Sequence, residues 1–276
     1  MLEFLAAPFV ASLILTGIHA YLGVHVVERG VIFVDLSLAQ IAALGATNAL
    51  LMPQSNGDPH SVFVYWISLL FTFIGAFVFS TIRSKRARIP QEAIIGICYA
   101  VASAAAILAM SKATSESEHL KDMLVGNILA VSWAEVIQTA LLYGAIGAFH
   151  FIFRHKFLAI SMNHDKAEES GLNVKFWDFL FYASFGFVVT SSVSIAGVLL
   201  VFSYLIVPSV AAMLYADSIG KRLAIGWTMG TVVSALGVFL SLKLDLPTGA
   251  TIVCTFGLVL IIMAAVRPLL QRHAVS

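Results

Sequence analysis

The stretch FLFYASFGFVVTSSVSIAGVLLVFSYLIVPSVAAMLYA, residues 179–216, contains no charged residue. A helix crosses the hydrocarbon core of a bilayer with about 20 residues, so this stretch is too long for one crossing. A cluster of polar and small residues, TSSVSIAG at 190–197, lies near its middle. We therefore predict two consecutive membrane-spanning helices here, with the break between them inside this cluster.

Similar apolar segments follow one another along nearly the whole chain. The 276 residues are 60% hydrophobic and 11% charged, with a mean hydropathy of +0.95, whereas soluble domains are nearer half apolar and a quarter charged. The sequence predicts an all-α integral membrane protein, a polytopic bundle of nine helices, or eight if one segment is re-entrant. The predicted spans are 4–27, 31–52, 62–83, 91–111, 132–154, 176–194, 195–216, 223–243 and 247–266.

Charged residues lie in the short segments between the spans and indicate the orientation. Lys and Arg are concentrated at 82–90, at 154–175, at 220–222 and after Arg267, which places these segments in the cytoplasm. The N-terminus is then outside and the C-terminus inside. A net charge of +1 leaves no basic surplus for nucleic acid. Motifs of soluble hydrolases and ATPases, such as HExxH, GxSxG and the P-loop, are missing, and no catalytic residue is predicted.

Four polar residues inside predicted spans are candidates for a site. Asp35 is the first, because an ionisable residue within the membrane is costly and commonly functional. Alternatively, Asp35 reaches the membrane interface or pairs with Arg29. Gln40 either lines a pathway or bonds neighbouring helices. His19 and His25 are weaker metal candidates, because a spacing of six turns them about 120° apart on a helix, and each alone is more often a packing residue.

Segment 112–131, on the predicted outer side, contains Glu116, Glu118 and His119, and its second half is typical of a short amphipathic or re-entrant helix. With Asp58 and His60 these side chains either pass on cations or are solvated loop charges. Their role stays open at this point.

Several segments together resemble one family of transporters. The segments are LGVHVVERGVIFVD (22–35), QEAIIGICYA (91–100), LVGNILAVSWAEV (124–136), DKAEESGLNV (165–174), GVLLVFSYLIVPSVAAMLYA (197–216) and LDLPTGATIV (244–253). In this order, over nearly the whole length, the chain resembles the permease subunits of metal-type ABC importers, the zinc, manganese and iron ABC-3 family.

The resemblance implies a type II ABC importer-like permease, with residues 1–276 forming one transmembrane domain in a bacterial or archaeal plasma (inner) membrane. It implies a second permease copy, a cytoplasmic ABC ATPase dimer that alone binds ATP, and an extracytoplasmic metal-binding protein. The cargo would be a divalent ion of manganese, zinc or iron, with no covalently bound cofactor. Two other readings stay open: a permease for a chelate such as a siderophore or cobalamin, and a membrane enzyme or scaffold.

The resemblance also assigns segment 163–174 as the coupling helix that docks on the ATPase, with Asp165, Ala167, Glu168 and Gly171 as its matching residues. A short charged helix fits this role. Asp165 is expected to cap its beginning and Gly171 to end it.

One position departs from the family pattern. Family members usually have a His four residues after the acid, so that both side chains share a helix face. Here position 39 is Ala39, and Gln40 follows Asp35 by five residues, a rotation of about 140°. We predict a π-bulge or break between 35 and 40 that restores a common face. An amide oxygen in place of imidazole favours manganese or ferrous iron over zinc.

Overall fold

The structure is a computed structural model that describes residues 2–58, 61–82, 89–111 and 128–273. Every regular element in these ranges is helical, which confirms the all-α prediction. The helices are α1 (Leu2–Arg29), α2 (Val34–Leu50), α3 (Val62–Ile82), α4 (Gln91–Met110), α5 (Trp133–Ile152), α6 (Arg154–Met162), α7 (His164–Glu169), α8 (Val174–Ala196), α9 (Val198–Tyr215), α10 (Ile219–Leu244) and α11 (Thr248–His273), with 3-10 turns at Pro53–Ser55 and Ile128–Ala130.

Each of the nine predicted spans contains one long helix. Eight of these helices are long and apolar enough to cross a membrane, and the ninth, α2, has only 17 residues. At 1.5 Å per residue α2 is about 26 Å long, slightly shorter than the roughly 30 Å hydrocarbon core. It is short because Gly30 takes a left-handed φ of +66° and the chain turns before Val34. The structure thus supports eight full-length spans plus one shorter helix.

The stretch at 179–216 divides as the sequence predicts. Helix α8 ends at Ala196 and α9 begins at Val198, with only Gly197 between them. Gly197 has φ +75° and ψ 160°, a conformation that side chains disfavour. The break therefore lies within the predicted cluster, at its glycine.

Contacts divide the chain into two compact units, neither of which is continuous in sequence. The first unit comprises residues 1–27, 124–144 and 195–276, and the second comprises residues 28–123 and 145–194. The assignment of the whole chain to one permease domain stays a prediction.

Close helix packing at small residues holds the first unit together. A Cβ placed on Gly23 of α1 would lie 2.0 Å from the Leu205 carbonyl oxygen of α9. A Cβ on Gly230 of α10 would lie 2.4 Å from the Thr16 methyl group. Glycine thus lets helix backbones approach closely, which is how membrane helices gain packing energy without a hydrophobic driving force.

The second unit is built around α2, which packs on both α3 and α4. A Cβ on Gly45 of α2 would lie 2.9 Å from the Ser68 Cα of α3, and the Ser68 hydroxyl donates to the Ala42 carbonyl at 2.8 Å. Farther along α3, Thr72 and Thr190 of α8 share a hydroxyl hydrogen bond of 3.1 Å.

Large apolar side chains are exposed on several spans, among them Leu108 of α4 and Leu141 of α5. Contact with lipid requires such an apolar outer surface.

Some predicted features lie outside the described residues. These are the basic segment at 83–88, His60 and residues 112–127, which include Glu116, Glu118 and His119. Of segment 112–131 the structure describes a turn at Ile128–Ala130.

Candidate functional site

Asp35 lies in the first turn of α2, immediately after the turn that joins α1 to α2. Its side chain is buried, with a relative exposure of 1%, and its Oδ1 has no hydrogen-bond partner among the described residues. The N-terminal end of a helix is favourable for a negative charge because the backbone N–H groups point toward it. A buried carboxylate with an unused oxygen is nevertheless costly, and a bound cation would offset that cost.

The beginning of α2 is held by a second acid that the sequence analysis did not select. Glu92, in the first turn of α4, accepts a hydrogen bond of 2.9 Å from the backbone N–H of Phe33, the residue before α2. This bond fixes the beginning of α2 against the beginning of α4. Glu92 lies within the predicted span 91–111, so a search for every ionisable residue inside the spans would have found it.

The predicted bulge between 35 and 40 is wrong. Helix α2 is a regular α-helix from its start, and the Ser37 N–H bonds the Phe33 carbonyl at 3.0 Å in the i→i−4 pattern. The physical reason lies in packing: Leu38, Ala39, Ala42, Ala43 and Gly45 are all buried, and a bulge would rotate the residues after it out of that contact.

Asp35 and Gln40 consequently point about 140° apart around the helix axis. Asp35 is buried, whereas Gln40 is half-buried. The two side chains therefore do not share a face of α2, and each has to be considered separately.

The alternative pairing of Asp35 with Arg29 does not occur. The Arg29 Nη1 lies 2.6 Å from the Oδ1 of Asp178 in α8. This acid was also missed, although it lies inside the predicted span 176–194 and the same search would have found it. Arg29 is thus committed to another carboxylate, and no ion pair of Asp35 is found among the described residues.

Both candidate histidines are buried in the first unit. The His19 Nδ1 lies 2.8 Å from the Leu15 carbonyl oxygen, and the ring meets Tyr143 edge-on at 6.2 Å. Because a carbonyl only accepts, Nδ1 must carry the proton, which leaves a lone pair on Nε2. This Nε2 has no hydrogen-bond partner among the described residues. His19 is therefore in the tautomer that binds a metal through Nε2.

His25 instead packs against Tyr21, with ring centroids 4.8 Å apart. Across the described parts of the chain, no three His, Cys, Asp or Glu side chains gather closely enough to hold a metal ion. An ion bound at Asp35, His19 or His25 would thus have at most two such ligands from the described residues.

Helix α7 forms within the predicted coupling segment, but its cap differs from the prediction. Asn163, not Asp165, caps the helix: its Oδ1 accepts the Lys166 N–H at 3.0 Å. The helix begins one residue before Asp165, so Asp165 already has helical geometry and lies exposed in the first turn. Acidic charge there still complements the helix dipole.

Gly171 follows the end of α7 as predicted. It has φ +82°, its N–H bonds the Glu168 carbonyl at 3.0 Å, and the Leu172 N–H bonds the Ala167 carbonyl at 3.2 Å. This pair of bonds is the Schellman motif. Ala167 is buried while Glu168 is exposed, so α7 is anchored by one small side chain and presents its charges outward.

Comparisons with known proteins give a consistent result. The ABC 3 transport family matches residues 1–267. The manganese transport system membrane protein MntC of Listeria monocytogenes is 28% identical over 203 residues, covering 71% of this chain and 72% of that protein. The chelated iron transport system membrane protein YfeD of Yersinia pestis is 26% identical over 224 residues, covering 78% and 75%.

A solved structure has the same fold. PsaBC from Streptococcus pneumoniae, in complex with Fab, matches with a TM-score of 0.78 at 23% identity, covering 95% of this chain and 91% of that chain. The predicted bundle of membrane helices is thereby confirmed.

Proposed function

The chain belongs to the ABC 3 transport family, and from this premise we propose that it is the permease of an ATP-driven importer for a divalent transition-metal ion. It is a multi-pass membrane protein and a transport subunit, not an enzyme. The observation that carries the choice of cargo is Asp35, a buried carboxylate at the beginning of α2 whose Oδ1 has no hydrogen-bond partner among the described residues. Such a group attracts a cation that has lost part of its water.

The cargo we favour is manganese or ferrous iron. Carboxylate oxygen suits these ions, whereas zinc takes nitrogen and sulfur ligands more readily. The relative named for manganese transport supports the choice of manganese. His19, whose Nε2 has no hydrogen-bond partner among the described residues, is a separate candidate ligand within the first unit. His25 is a weaker candidate, because its ring is packed against Tyr21.

Sparse ligation fits a pathway, because an ion that is bound too tightly would not leave. Gln40 points away from Asp35, so we do not assign it as a partner of the acid. We propose Gln40 as a separate polar residue of the pathway.

We further propose that the helix α7 and its flanks, residues 163–174, dock on a cytoplasmic ABC ATPase that supplies the ATP hydrolysis. Exposed Asp165 and Glu168, with the sharp end at Gly171, support this role. A second permease copy and an extracytoplasmic metal-binding protein complete the proposed importer.

The test is metal uptake by vesicles that contain this chain, its ATPase and its binding protein. We expect ATP-dependent uptake of manganese or ferrous iron to exceed that of zinc. Absence of uptake of all three free ions would contradict the proposal. The relative named for chelated iron makes a chelate permease the second candidate, and uptake of iron only as a chelate would favour it.

A further inference from the structure

Arg29, the last residue of α1, forms a fully buried ion pair. Its Nη1 lies 2.6 Å from the Asp178 Oδ1, and the two side chains have relative exposures of 0% and 1%. An ion pair of this kind is expensive to desolvate, and apolar residues of similar size are often no less stable. The pair is therefore poorly explained by stability alone.

The Arg29 guanidinium also contacts a serine hydroxyl and an aromatic ring. Its Nε donates a hydrogen bond of 2.8 Å to the Ser161 hydroxyl of α6, and its central carbon lies 3.9 Å from the centre of the Phe181 ring of α8. A planar guanidinium makes such contacts in fixed relative directions, which an ammonium group does not. Arg29, at the beginning of the α1–α2 turn, thus holds this turn against α6 and α8.

These contacts lie on both sides of the proposed docking helix. Ser161 precedes the cap of α7 by two residues, and Asp178 lies in the second turn of α8, the helix that follows α7. On the other side, Arg29 directly precedes the turn into α2, whose first turn contains Asp35. The Arg29 side chain therefore connects α6 and α8, the helices on either side of α7, to the α1–α2 turn that precedes Asp35.

Helix α6 packs closely against α5, which is in turn bonded to α8. The Phe157 ring of α6 stacks on His150 of α5, with centroids 4.4 Å apart and planes at 16°. The Nε2 of His150 in turn lies 2.8 Å from the Ser184 hydroxyl of α8. Packed aromatic rings and buried hydrogen bonds resist separate movement of the helices that they join.

We propose that Arg29 is a positioning residue that couples movement of α7 to the α1–α2 turn and hence to Asp35. The inference rests on the proposed function, because it takes α7 as the ATPase contact and Asp35 as an ion ligand. A shift of α6 and α8 carries the guanidinium with it, and the beginning of α2 follows because it is joined to Arg29 by a short turn.

Two substitutions test the coupling in the complete reconstituted importer. Arg29→Lys keeps the charge for Asp178 but lacks the fork that reaches Ser161 at the same time. Ser161→Ala removes the hydroxyl that accepts from the Arg29 Nε and leaves the ion pair with Asp178. The matched control is Ser80→Ala, because Ser80 is also buried but, among the described residues, its hydroxyl bonds only the Phe77 carbonyl of its own helix.

Manganese uptake and ATP hydrolysis are measured in the same vesicles, together with the thermal stability of each complex. We expect manganese transported per ATP to fall about tenfold in Arg29→Lys and Ser161→Ala, which lies within the range by which substitutions between two coupled sites change their coupling. ATP hydrolysis and thermal stability should stay close to those of the unaltered complex and of Ser80→Ala.

Two outcomes overturn the inference while leaving the proposed function intact. In one, the unaltered complex transports manganese and both variants keep its ratio of manganese to ATP. In the other, manganese uptake, ATP hydrolysis and thermal stability of the two variants fall together. That result is expected if Arg29 and Ser161 have only a structural role. If the unaltered complex transports none of the metals, the proposed function itself fails, and that result is distinct from both.

Discussion

At the scale of single residues, the charge of Asp35 is the feature that most needs an explanation. A buried carboxylate without a cation nearby lowers stability, and the Arg29 guanidinium is already taken by Asp178. Asp35 was predictable because one acid inside an apolar run is visible in the sequence. The pairing of Arg29 was not, since its acid lies 149 residues away and only the folded chain shows which carboxylate it meets.

Asp35→Asn should separate transport from stability. The amide keeps the size of the side chain but removes the charge, so we expect manganese uptake to fall about tenfold or more while thermal stability is unchanged or higher. Uptake in vesicles and thermal unfolding of the purified complex measure the two effects. The control is Asp245→Asn, an exposed acid with φ +52°, where Asn is well tolerated. If the Asp35→Asn variant transports manganese as well as the unaltered protein, Asp35 is not a ligand of the ion pathway.

At the scale of elements, the sequence predicted which segments are helices better than it predicted their local geometry. Apolar length located all nine long helices, because the need to satisfy backbone groups in lipid leaves few other structures. The missing bulge in α2 shows the limit: family resemblance suggested it, but contacts with α3 and α4 determine which residues of α2 are buried. The cap of α7 was missed by two residues, because Asn163 and Asp165 are both good caps and propensity does not choose between them.

Asn163→Ala should weaken α7 and its action on the ATPase. Loss of the bond from Lys166 N–H is expected to cost about 1 kcal/mol of local helix stability. We therefore expect lower stimulation of ATP hydrolysis in the reconstituted importer, with Asn163→Ser close to the unaltered protein. Equal stimulation by the Ala and Ser variants would argue against α7 as the ATPase contact.

Gly23→Ala should destabilise the packing of α1 on α9. The new methyl group would lie 2.0 Å from the Leu205 carbonyl oxygen, and overpacking of this kind costs about 1–3 kcal/mol or more. Gly17→Ala on the same helix is the control, because no atom of the described residues lies within 4 Å of its added Cβ and Ala favours the helix. Thermal unfolding in detergent should show a fall for the first variant only. An equal response of both would mean that close packing at Gly23 is unimportant.

At the scale of the whole molecule, composition alone established a membrane protein, but the grouping of helices into two units was not predictable. Each unit combines segments that are far apart in sequence, such as 1–27 with 195–276. Such pairings depend on complementary surfaces, for example Gly23 beneath the Leu205 carbonyl, and periodicity carries no information about them. The orientation in the membrane rests on the positions of Lys and Arg and stays a prediction.

Labelling of single cysteines tests that orientation. After Cys98 and Cys254 are replaced by Ser, exposed positions Gln54 and Glu168 are changed to Cys one at a time. We expect a membrane-impermeant maleimide to label Gln54→Cys in intact cells, and Glu168→Cys only after the membrane is opened. Labelling of Glu168→Cys in intact cells would place the proposed ATPase contact on the wrong side.

The packing of Gly23 on Leu205 also has a consequence for biosynthesis. A ribosome that adds about 5–20 residues per second needs roughly ten to forty seconds to reach Leu205 after Gly23. During that interval α1 is already made, but the helix that covers its glycine face does not yet exist. The membrane-insertion machinery or lipid must therefore cover this face. A nascent chain that stalls before α9 would leave the glycine face of α1 uncovered, where quality-control proteases could recognise it.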